Sequence, residues 1–189
     1  QIHVSYENIS RMCQYAHTYK AEGLLNTDWG DCGHINHPDF SLPGMIYGAA
    51  FSWNLDIPEF EDMNHQISRI AYGDETETLV SLLARISESW KFTWRNAVDW
   101  MEQGKLQLLH NAEIYENAVM DLEQIKTELY QSVTNLPTTQ RGQIHAYLIS
   151  VQGMILLQKI GKVLAENDVA SGKTVNGKAG KEEYRKLAE

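Results

Sequence analysis

Apolar residues recur at three- and four-residue steps through most of the second half of this chain. Leu79, Leu83, Ile86, Trp90, Trp94, Ala97 and Met101 mark one run, and Ile114, Ala118, Leu122, Ile125, Leu129 and Val133 a second. Ile144, Leu148, Val151 and Ile155 open a third, which continues one step shifted through Leu156, Ile160 and Leu164. Such steps place side chains on one face of an α-helix. Gly104, Asn135-Leu136-Pro137 and the 172–180 segment punctuate the runs. Three long amphipathic helices with short connections predict an antiparallel bundle, with Thr138 or Thr139 capping the third. Residues 168–180 are rich in Gly, Lys, Ser and Asn and are expected to be mobile, with a last helix beginning near Lys181.

The first part of the chain reads differently. Ile9, Met12, Cys13, Ala16 and Tyr19 predict a helix over about residues 6–20, capped at Ser5 or Asn8 and stopped by Gly23. Leu24-Leu25, bounded by Gly and by Asn26-Thr27-Asp28, fits a short buried strand. Residues 30–44 hold three Gly and two Pro among polar residues and read as loop. From Pro43 the chain can turn helical, and a further helix is expected over 58–72, ended by Gly73-Asp74. Helix, glycine, strand and polar loop is the order of an α/β unit, whose chemistry gathers at the strand's C-terminal end. The change of character after Gly73 predicts two regions, 1–73 and 74–189.

Composition narrows the function. Among 189 residues 43% are apolar, enough for a core, and the net charge of −9 opposes a nucleic-acid partner. Cys13 and Cys32 are too few for a disulfide framework. No run of 18 apolar residues predicts a membrane span. Both ends read as cut, and no compartment is indicated.

The candidate chemistry sits in residues 23–54. In Asp28-Trp29-Gly30-Asp31 the indole could stack on a sugar ring while a carboxylate accepts from its hydroxyls; the same four residues could equally form a turn with Trp29 in the core. Cys32, His34 and His37 offer soft and borderline ligands in a short span, although no second ligand pair accompanies them. No nucleophile elbow, phosphate loop or dinucleotide fingerprint is present. Trp90, Trp94 and Trp100 read as packing residues, and His110 and His145 as structural.

Taken whole, GLLNTDWGDCGH…SLPGMIYGAAFSWN resembles the end of the catalytic barrel in bacterial β-N-acetylhexosaminidases, the family 20 glycoside hydrolases. YENISRMCQYAHTYKAEG resembles the preceding barrel helix. The likeness covers about residues 3–60; the helical remainder is similar only in character to a C-terminal region of some members. It implies a mainly α chain, an antiparallel three- to four-helix bundle preceded by a short βα remnant of a (β/α)8 barrel. The family's last strand ends in Trp-x-Glu, whose Trp walls the sugar pocket and whose Glu binds sugar hydroxyls. Trp29 and Asp31 match it as Trp-x-Asp, one methylene shorter in reach.

The family's chemistry is retaining and substrate-assisted: the sugar's 2-acetamido group attacks its own anomeric carbon. An Asp-Glu pair on an earlier strand serves it. That pair has no counterpart here; Asp74-Glu75 matches by letters alone. The resemblance therefore implies an inactive C-terminal piece of a hexosaminidase, without cofactor or metal, partnered by an N-acetylhexosamine glycan and able to self-associate. The rival readings are a non-catalytic helical interaction module and a small metalloprotein using Cys32, His34 and His37.

Overall fold

The structure, a computed structural model, describes residues 2–29, 37–54, 56–104 and 106–167. Among these there are seven α-helices and no strand, so the chain is a mainly α helical bundle. The helices are α1 (Ile2–Thr18), α2 (Leu42–Trp53), α3 (Phe60–Tyr72), α4 (Leu79–Glu88), α5 (Trp94–Gln103), α6 (Ala112–Ser132) and α7 (Arg141–Glu166). Two compact units divide them. One takes the residues up to 88 together with 128–148; the other takes 89–127 and the residues from 149 on. The division expected at 73 falls inside the first unit.

The first unit is built on helix ends that the sequence specifies well. In α3, Glu61 and Asp62 occupy the first turn and Arg69 the last, each favourable to the helix dipole. Met63, Asn64, Ile67, Ser68 and Tyr72 form its buried stripe. Gly73 ends the helix at φ 66°, in the left-handed region. A Cβ at this position would lie 2.7 Å from Pro137 Cγ, so space as well as conformation demands glycine. The turn leads directly into α4. Ser68 Oγ donates to Asn64 O at 2.8 Å and accepts from Val80 N at 2.9 Å, joining the two helices through a buried hydroxyl. Arg85 pairs with Glu128 at 2.6 Å.

The second unit gathers Phe92, Ala97, Tyr115, Leu157 and Leu164, with Trp94 and Trp100 packed against them. Those two indoles are core packing, as their place in the periodic run suggests. Within this unit α6 and α7 run antiparallel. Lys126 faces Gln152 (3.3 Å) and Glu116 faces Lys162 (3.3 Å), so stepping back along one helix steps forward equally along the other.

Three expectations change. The helix expected to run from 79 to 101 is two helices, α4 and α5. The chain leaves helix at Ser89 and re-enters through Thr93, whose hydroxyl accepts from Asn96 N while the Asn96 side chain accepts from Thr93 N. This capping box starts a new helix in the middle of an apolar stripe. The first helix stops at Thr18, and its left-handed residue is Lys20 (φ 55°), not Gly23. Ala21 N donates back to Ala16 O at 2.8 Å, completing a Schellman-type end around a lysine. The strand expected at Leu24-Leu25 does not form, and Leu25 is 85% exposed. A strand needs a partner's backbone, and no other described segment is extended into a ladder. The mobile segment and last helix expected from 168 onward lie outside the described residues.

Candidate functional site

Residues 26–29 lie against the start of α2, and the contact alternates along the chain. Asn26 Nδ2 donates to Gly44 O at 2.9 Å, and Asp28 Oδ2 accepts from Ser41 Oγ at 2.5 Å. Asn26 is half-buried, and Leu25, Thr27, Asp28 and Trp29 are exposed. Gly48 makes this seat possible: a Cβ there would collide with the Asn26 side chain. Ser41 stands at the N-cap of α2 but makes no side-chain cap there; its hydroxyl goes to Asp28. The carboxylate thus meets the positive end of the helix dipole.

Trp29 is 73% exposed, and its indole N–H donates to Thr27 Oγ1 at 3.0 Å. The alternative that buries Trp29 in a core is not what the structure has. Asp31, Cys32 and His34 lie outside the described residues. His37 precedes a 3-10 turn, Pro38–Ser41, and its Nδ1 accepts from Asp39 N at 3.3 Å, capping the turn. Among the described residues no group of three or more His, Cys, Asp or Glu side chains could hold a metal ion. Asn26 and Ser41 were not legible as anchors.

The same unit holds buried aromatic rings, Tyr47, Phe51, Tyr72 and Tyr147, with Tyr6 and Phe40 half-buried against them. Phe40 meets Tyr147 edge-on at 4.9 Å, and Tyr147 OH donates to Tyr72 OH at 3.4 Å. Tyr47 stacks on Phe51, takes the edge of Tyr6, and donates its hydroxyl to Asn64 Oδ1. Burial pushes the hydroxyls of Tyr47, Tyr72 and Tyr147 above the ordinary tyrosine value of 10.0, and for Tyr147 the neighbouring Tyr72 adds to the effect.

The sign of the consequence follows from which state holds the protons. Below the ordinary value both folded and unfolded chains keep them, and the full stability is present. Above it the unfolded chain releases protons that the fold retains, so stability falls as pH rises. Thermal melts should therefore hold to about pH 9 and fall from about pH 10 upward, and Tyr147→Phe should flatten that fall while costing little at neutral pH. Tyr47→Phe should instead cost about 1–3 kcal/mol at neutral pH, because Asn64, fully buried with its Nδ2 already unpartnered, would lose the partner of its Oδ1 as well. Equal neutral-pH melting temperatures for the two variants would contradict this ordering.

Compared with models of protein families, with curated proteins and with solved structures, the chain matches none. What the fold and the site define is a mainly helical chain carrying a polar segment, with an exposed indole, pinned to one helix start.

Proposed function

We propose that this chain is the C-terminal part of a retaining, substrate-assisted β-N-acetylhexosaminidase that removes terminal N-acetylhexosamine from glycans. The piece alone is inactive, and Trp29 and Asp31 line the sugar pocket of the whole enzyme. The observation that carries the reading is Trp29 within the 23–54 stretch: a large indole held in the open next to Asp28, where a sugar face can stack. The surroundings support it. Val4, Met12 and Tyr15 on α1, and Tyr19 and Leu25 beyond it, are exposed apolar residues. Residues 22–29 make no backbone hydrogen bond among the described residues. An α/β unit leaves such surfaces bare when its neighbouring strands are not in the chain. The barrel remnant and the division at 73 belong to this proposal.

The test is turnover of aryl N-acetyl-β-glucosaminide and N-acetyl-β-galactosaminide by the polypeptide extended upstream to a full barrel. Trp29→Ala and Asp31→Ala should each lower kcat/KM by roughly tenfold to a hundredfold with folding intact. Turnover indifferent to both variants would remove these residues from the pocket. No turnover on either substrate would overturn the proposal.

A further inference from the structure

We infer that Asp28 and Ser41, seconded by Asn26, are positioning residues that set the orientation of Trp29; that this serves a sugar rests on the function proposed above. The two tethers at Asn26 and Asp28 carry the inference. Asn26 is bonded to Gly44 O on α2 at 2.9 Å and the exposed Asp28 to Ser41 at 2.5 Å, so the chain is fixed on either side of Thr27 and immediately before Trp29. Trp29 follows Asp28 directly and its indole N–H is held by Thr27 at 3.0 Å. With its N–H already bonded, the indole offers ring surface to a ligand. A hydroxyl bonded to a carboxylate is among the stronger tethers a side chain can make. Ser41 gives up its usual capping role to provide it. Trp29 is 73% exposed, so a core packing role does not account for this arrangement.

Two readouts separate this inference from the function it rests on. The first uses the 189-residue chain labelled with nitrogen-15, the Trp29 indole resonance being assigned with Trp29→Phe. Asp28→Ala and Ser41→Ala should each move that resonance and speed exchange of its N–H with water by roughly tenfold, while the Trp94 and Trp100 resonances stay in place. Asp28→Asn, which keeps an accepting oxygen for Ser41, should restore most of the protection. A Trp29 resonance unchanged in Asp28→Ala overturns the inference whatever the chain binds. The second readout is turnover by the upstream-extended polypeptide. Asp28→Ala should lower kcat/KM about tenfold and Asp28→Asn far less. Turnover sensitive to Trp29→Ala but not to Asp28→Ala would also overturn the inference. An intact tether without any hexosaminidase turnover would overturn the proposed function and leave the positioning of Trp29 standing.

Discussion

Replacing Gln158 by Leu should destabilise the chain by about 3 kcal/mol or more. This glutamine is fully buried on α7. Its Oε1 accepts from Lys91 N at 3.1 Å and from Phe92 N at 2.9 Å, while its Nε2 donates to Phe92 O at 2.9 Å. One side-chain amide therefore satisfies the backbone of the link between α4 and α5, where the chain is out of helix and Phe92 is buried. Leucine has nearly the same bulk and none of the polar atoms. It would leave the buried Phe92 N–H and C=O without this partner, each at a desolvation cost. Gln158→Glu separates this from a packing effect. The carboxylate can still accept from both N–H groups but faces the Phe92 carbonyl, so the variant should be weak at neutral pH and recover as the pH is lowered and the acid proton replaces the lost donor. Urea unfolding at two pH values checks both. A Leu variant within about 1 kcal/mol of the parent would mean that this link is not held by Gln158.

Asp74→Ala should have a comparable effect, about 3 kcal/mol. The carboxylate is fully buried and completely used. Oδ1 accepts from Thr76 N and Thr76 Oγ1 at 3.0 and 2.5 Å, and Oδ2 from Thr78 N and Leu79 N, each at 2.9 Å. It organises the turn after α3 and caps α4 in one stroke, with its charge at the positive end of the α4 dipole. Alanine would strand the Leu79 N–H, which is buried. Asparagine keeps one accepting oxygen and turns an amide toward the other donors, so Asp74→Asn should lose roughly half as much. If the two variants unfold at the same urea concentration, the second oxygen contributes nothing.

The helical half of this chain was legible because its information is local. Repeats of three and four residues, a glycine at a left-handed helix end and acids in a first turn each carry their meaning within a few positions, and α2, α3, α6 and α7 follow them. The break between α4 and α5 was not legible, since Trp90 and Trp94 stay in phase across it. What satisfies the broken backbone is Gln158, 66 residues past Phe92. The strand at Leu24-Leu25 failed for the opposite reason: its local pattern was sound, but a strand is a property of two segments. At the candidate site Trp29 stood out by its type and setting. The groups that hold the segment, Asn26 on Gly44 and Asp28 on Ser41, act across 18 and 13 residues and carry no pattern of their own.

Because the first compact unit is assembled from two separate stretches, the order in which the chain is synthesised matters. Residues up to 88 emerge first, yet Tyr147, the ring that receives Phe40 and donates to Tyr72, is made 75 residues after Tyr72. Until then a nascent chain displays the faces of Phe40 and Tyr72 with nothing to close them. Closing so large a loop is an entropic step that local helix formation cannot replace. Helices α1 to α4 can therefore form early on the ribosome, but the unit they belong to is completed late, and an interrupted chain ending near residue 130 would expose aromatic rings that the finished molecule buries.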